Sequence, residues 1–225
     1  MESTSVKTFA FCLGSVGIVI LVWGFDLRTT GDDAGYAPEQ PIAFSHRLHA
    51  GEMKIDCLYC HFGAESSRTA GMPTSNVCLN CHAFVGATRD AVATETRAAR
   101  AEGREPKTPV SPEIAKLRAA GGRKPDGSID LGAASRPIGW TRVYDLPDHV
   151  CFDHRRHVAR GVDCRTCHGA VETMERIRQQ ENLTMGWCVE CHRINPAEGK
   201  GALPPGLGHP RVDDHASIDC SACHF

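Results

Sequence analysis

Apolar positions are spread unevenly along this chain. An unbroken apolar run from Thr8 to Phe25 (TFAFCLGSVGIVILVWGF), with Lys7 before it and Asp26 after it, precedes a long remainder poor in core material. Eighteen residues reach the lower end of what spans a bilayer, and Trp23 sits where an interfacial ring belongs. The run predicts a retained transmembrane helix within residues 1–26 rather than a cleaved leader. Leader apolar regions are shorter and end in a small-x-small site, and none follows Phe25. Cys12 has no lipobox before it and reads as a small apolar residue of that run. Residues 27–42, rich in Gly, Asp, Thr and Pro, read as a tether.

Beyond the tether, helical signals are short. Ala91 to Ala101 is rich in Ala, Arg and Glu; Ser111-Pro112-Glu113 opens a second helix that Gly121-Gly122 closes. Their exposed charge predicts solvated helices. Gly122 to Ser135 reads as loop, and Trp140-Thr-Arg-Val-Tyr144 as a short strand. The expectation is a mainly α chain with much irregular structure and little sheet. Of 225 residues 41% are hydrophobic and 6% aromatic, too few to build an ordinary core once the N-terminal run is set aside.

A repeated pentapeptide supplies what the core lacks. Cys57-Leu-Tyr-Cys60-His61, Cys78-Leu-Asn-Cys81-His82, Cys164-Arg-Thr-Cys167-His168, Cys188-Val-Glu-Cys191-His192 and Cys220-Ser-Ala-Cys223-His224 account for ten of the twelve cysteines. C-x-x-C-H is the attachment signal of c-type haem: two thiols form thioethers to the porphyrin and the next imidazole reaches the iron. Zinc knuckles and thioredoxin-like pairs also use C-x-x-C, but neither requires His after the second Cys in every copy. A disulfide framework rarely repeats one spacing throughout. Five covalently bound haems c are therefore expected, their apolar faces replacing a side-chain core, with an apoprotein largely unfolded. The net charge of -2 gives no basic face for nucleic acid.

The motifs sit in larger repeats. Phe44-Ser-His46-Arg-Leu-His49 precedes Ile55-Asp56-Cys57, and Phe152-Asp-His154-Arg-Arg-His157 precedes Val162-Asp163-Cys164. Each is followed by a second motif. The chain divides into a first dihaem unit (43–83), an insert with short helices (84–148), a second dihaem unit (149–193) and a terminal monohaem unit (194–225).

Proximal ligands follow from the motifs: His61, His82, His168, His192 and His224. Seven histidines remain for five distal positions. In His-x-x-His the two imidazoles share one side of a helical turn and reach different haems. His46 and His154 are assigned to the first and third haems; His49 and His157 cross to neighbours. The fifth distal ligand comes from His215, His209 or His149, with His215 favoured by its closeness to Cys220. Met72 and Met185 are alternative distal ligands at the second and fourth haems, where His/Met ligation would raise the potential. Cys151 reads as a buried small apolar residue. Iron blocked on both faces has no place for a substrate, so the chain is expected to bind no small molecule of its own and to carry electrons, with no catalytic residue.

The arrangement F-x-H-x-x-H before C-x-x-C-H resembles class III multihaem cytochromes. The combination of PIAFSHRLHAGEMKIDCLYCHFGA, Arg136-Pro-Ile-Gly-Trp-Thr-Arg-Val-Tyr-Asp-Leu-Pro-Asp-His149-Val-Cys-Phe-Asp-His154 and Asn182-Leu-Thr-Met185-Gly-Trp-Cys188 is similar to the pentahaem subunit of alternative complex III. That resemblance implies a single-pass protein of the bacterial inner membrane with periplasmic haems. It also implies partners: integral quinone-interacting subunits, an iron-sulfur protein, a monohaem cytochrome c and a terminal oxidase. The family often carries a His shortly before the second motif, where this chain has Thr69 and Met72. A self-sufficient membrane-anchored quinol dehydrogenase is the alternative reading, and a multihaem nitrogen-oxide enzyme a further one.

Overall fold

The computed structural model describes residues 33–193 and 216–224. The apolar run 8–25, His209 and His215 lie outside them. Among the described residues no helix is long and apolar enough to cross a membrane. The chain is mainly α with long irregular connections, and pairing between extended segments is limited to isolated bridges, Arg123 with Ile129 and Val150 with His224.

Five short helices carry the Cys-x-x-Cys-His motifs: α2 (Cys57–Cys60), α3 (Ser75–His82), α7 (Arg165–His168), α8 (Met185–Arg193) and α9 (Cys220–Cys223). An Asp precedes the first Cys in three of the five motifs, and in two of them it has a structural cause. Asp56 Oδ1 accepts from Leu58 N at 2.8 Å and Asp163 Oδ1 from Arg165 N at 2.8 Å, satisfying a free N–H at the start of each motif turn. Two further helices carry the His pairs: α1 (Arg47–Glu52), wound with π geometry, and α6 (His154–Ala159).

These paired helices interlock the two double-motif segments. Arg47 N donates to Met174 O beyond the third motif at 2.9 Å, while His154 N and Arg155 N donate to Arg68 O and Ser67 O beyond the first motif at 3.1 and 3.2 Å. Each unit thus lays its His helix on the turn that follows the other's first motif. Arg47 and Ser45 both reach Glu175 at 2.9 Å, adding an exposed tie at the same junction.

The insert folds as the sequence predicts at α4 (Arg89–Glu102), capped by Thr88 and ended by left-handed Gly103, and at α5 (Pro112–Ala120), capped by Ser111. α5 is more than a solvated helix. It packs on α3 and buries Leu117 and Arg118. Two other expectations are corrected. Trp140–Tyr144 forms no strand; instead the Gln40 side-chain amide takes the place of a partner strand, donating to Thr141 O and accepting from Thr141 N, both at 2.9 Å. The described part of the tether is fastened down, with Gly35 N on Gln179 O at 2.8 Å, Gln179 N on Tyr36 O at 2.9 Å and Ala43 N on the Glu113 carboxylate at 2.7 Å.

Few apolar side chains are buried: Ala64, Leu79, Ala83, Ala99, Leu117 and Met174 among the described residues. Backbone fit therefore matters at the α3–α5 junction. Gly127 has φ +91°, and a Cβ there would collide with the Ala83 carbonyl. Gly127→Ala is expected to lower stability by about 2 kcal/mol or more through left-handed strain and that collision. The thermal midpoint followed by circular dichroism should fall by about 5 °C or more. Gly132→Ala, facing only the Asp130 side chain at 3.5 Å, should stay within about 0.5 kcal/mol.

Candidate haem-binding sites

At each motif the helical turn sets the two cysteines three residues apart on one side and delivers the following His at its end. The imidazoles are then oriented by backbone carbonyls. His61 Nδ1 meets Gly71 O at 2.9 Å, His82 Nδ1 meets Val85 O at 3.0 Å, His192 Nδ1 meets Ser217 O at 2.7 Å and His224 Nδ1 meets His149 O at 3.3 Å. The distal candidates repeat the device: His49 Nδ1 on Ser45 O, His154 Nδ1 on Arg68 O and His157 Nδ1 on Asp153 O, each at 2.9 Å. A carbonyl can only accept, so Nδ1 carries the proton and Nε2 keeps its lone pair for a metal.

Opposed rings complete the picture. His154 faces His168 with centroids 6.3 Å apart and planes within 6°. His49 faces His82 at 6.0 Å, His157 faces His192 at 6.1 Å and His149 faces His224 at 5.5 Å. Separations near 6 Å suit a metal ion held between two nitrogens at about 2 Å each. His46 is grouped with His61: burial first, then His61, His49 and His168, hold its pKa down to about 4. Burial, then His154 and His61, likewise lower His168 to about 4. Both rings are neutral at neutral pH, as iron ligation requires.

One aromatic ring supports each distal pair. Phe44 stacks on His49 at 4.4 Å and meets the edge of His46 at 4.9 Å; Phe152 repeats this with His157 at 4.6 Å and His154 at 4.8 Å. Tyr144, expected only as the end of a short strand, packs edge-on against His168 at 4.5 Å. Its hydroxyl donates to Arg178 O and accepts from Gln180 N, both at 3.1 Å. The signal was a lone Tyr in an extended segment, which sequence patterning does not mark.

Thiols show which stations adjoin. The Cys164 pKa is raised by burial first and then by Cys57, with which it is in hydrogen-bonding contact. Cys78 is raised by burial and then Cys60, Cys167 up to about 11 by burial and then Cys191 and Cys188, and Cys188 by burial and then Cys223. Numbering the motifs along the chain, the stations therefore adjoin in the order second, first, third, fourth, fifth.

Among the remaining sequence candidates, Met72 and Met185 are exposed, at 59% and 70%. The rings facing His82 and His192 are those of His49 and His157. Cys151 is half-buried and accepts from Arg68 Nη2 at 2.9 Å, so it has a polar neighbour as well as packing. Its backbone N donates to Cys223 O at 2.7 Å, and with the Val150–His224 bridge this seats the fifth motif against residues 149–151.

The described residues fit covalently held porphyrin: thiol pairs on motif turns, imidazoles with free Nε2 lone pairs, opposed rings spaced for a metal, and an apolar core too small without a further apolar group. Residues 150–225 match the family of cytochrome c7 and related cytochrome c. The multihaem cytochrome c subunit of menaquinone reductase from Nitratidesulfovibrio vulgaris is 25% identical over 197 residues, 83% of this chain and 77% of that protein. This is a multihaem c-type cytochrome, an electron-transfer protein. The high-molecular-weight cytochrome c of the same organism is 24% identical over 202 residues, 80% of this cytochrome and only 36% of that longer protein.

Tyr144→Phe tests the support of the cytochrome's third motif. Loss of the hydroxyl strands the Gln180 N–H and Arg178 carbonyl, and stability should fall by about 1 kcal/mol. Thermal melts of the haem-loaded protein should show the lower midpoint with haem content unchanged.

Proposed function

We propose that the chain is a membrane-anchored pentahaem relay within a quinol-oxidising respiratory complex of the alternative complex III kind. Its own haems would receive electrons from the quinol or iron-sulfur side and pass them toward a monohaem cytochrome c or a terminal oxidase. One observation carries this reading: motif histidines are met by second imidazoles, and the motifs adjoin in a single file. Iron with both axial positions filled exchanges electrons and takes no substrate. The residues that would hold the five haems are the ten motif cysteines with His61 and His46, His82 and His49, His168 and His154, His192 and His157, and His224 and His149.

The anchor at 8–25, the periplasmic placement of the haems and the partner subunits belong to the same proposal, supported by the sequence alone. A second reading reverses the flow. The relative that matches 83% of this chain is named for menaquinone reductase, which would have the same wire deliver electrons to a quinone pool.

Intact mass of the purified holoprotein should show five added haems, and low-temperature electron paramagnetic resonance only low-spin iron. His149→Ala should convert one iron to a high-spin, carbon monoxide-binding form, whereas His215→Ala should leave all five low-spin. The opposite result would move the fifth distal ligand to His215. Quinol oxidation by the isolated chain would sink the relay reading in favour of a self-sufficient dehydrogenase, and carbon monoxide binding by the unaltered reduced protein would favour a haem enzyme.

A further inference from the structure

Arg118 is a cation buried to 1% exposure whose partners are carbonyls rather than carboxylates. From α5 its Nε donates to His82 O at 2.9 Å, Nη2 to Ala83 O at 3.2 Å and Nη1 to Pro125 O. The chain closes around it. A Cβ at Gly86 would stand 3.3 Å from Nη2, and one at Gly127 would stand 3.4 Å from Cζ. The carboxylate that feels its charge, Asp126, is exposed and held by the hydroxyl and N–H of Ser128.

Two of the three acceptors lie at the C-terminal end of α3, where free carbonyls and the negative end of the helix dipole favour a cation. One of them is the peptide carbonyl of His82 itself, the motif histidine of the second station. A guanidinium does not lose its proton in a protein. Shielded from water and counterions, its charge acts on its surroundings with little screening. One-electron reduction of ferric to ferrous iron removes one positive charge. A fixed cation beside the site therefore favours the reduced form.

We propose that Arg118 is a positioning residue of the second station that both holds the turn bearing His82 and raises that station's reduction potential, so that one end of the relay is set above its neighbour. The inference rests on the relay reading, with the electron arriving from the adjoining first station and no proton required. Role and charge can be separated. A purely structural cap would be damaged alike by any substitution that breaks the three-way fork, whereas an electrostatic role follows the charge.

The test is a spectroelectrochemical titration of the full-length, haem-loaded protein with dithionite as reductant. Arg118→Gln should lower one of the midpoints by about 59 mV, a tenfold change in the one-electron equilibrium constant, and leave the others in place. Arg118→Lys, which keeps the charge and loses the fork, should restore most of that difference. Equal falls in both variants, or no fall in Arg118→Gln, would overturn the proposal. Should Arg118→Gln fail to accumulate, the unaltered protein decides. The paramagnetic signals lost in His49→Met and in His46→Met identify the second and first stations, and the second must titrate above the first; at or below it, the proposal fails. Intact mass on the same samples separates the two readings. Absence of haem at Cys78 and Cys81 overturns both, whereas full loading with an unmoved midpoint overturns this inference alone.

Discussion

The bond from an imidazole Nδ1–H to a backbone carbonyl is the interaction on which the rest of this structure depends. Seven histidines of the described chain make it. Each such bond does two jobs at once. It fixes a tautomer that leaves Nε2 free for a metal, and it ties a loop or helix end to a ring that must stay in place. Because the buried apolar set is confined to a few small or medium side chains, the fold relies on these polar ties and on the faces of the groups it carries. Packing and cofactor loading are therefore the same event, in the way a metal site couples its ligands to folding.

The interlock of the two double-motif segments follows from that coupling. Were each unit closed on itself, α1 would cover the turn after the first motif and α6 the turn after the third. The structure exchanges them: α1 meets Met174 and α6 meets Arg68 and Ser67. His154 consequently takes its Nδ1 partner from the first unit while facing His168 in its own. A ligand oriented by the opposite unit makes the geometry of one station conditional on the other. It also brings Cys57 and Cys164 into contact, which converts two separate pairs into a continuous file.

What could be read from the sequence was what recurs at fixed spacing. The Cys-x-x-Cys-His motifs, the Phe-x-His-x-x-His pairs and the capped helices at 89–102 and 112–120 are local patterns, and local patterns survive translation into structure. What escaped reading depended on distance along the chain. Of the three candidates for the fifth distal position, His149 faces His224 across 75 residues through a bridge beside Val150, a pairing that spacing along the chain cannot single out, while His209 and His215 lie outside the described residues. Gln40 substitutes for a strand partner of Thr141, and no propensity scale encodes a side-chain amide as backbone. Tyr144 and Arg118 act through carbonyls of residues far away in sequence, so neither leaves a motif.

Among the described residues the two ends of the file are built differently. At the second station, Leu79 of α3 and Ala83 just after it are buried, α5 packs over the helix and a cation is closed beneath its last turn. At the fifth, α9 is four residues long with no buried side chain, held by the Val150 bridge and by Cys151 N. A buried fixed charge such as that of Arg118 acts on its surroundings with little dependence on salt, because screening reaches it poorly. The insert between the paired motifs thus breaks the symmetry of the repeat: it lays a packed helix and a buried cation against the second motif, with no counterpart among the described residues at the fifth.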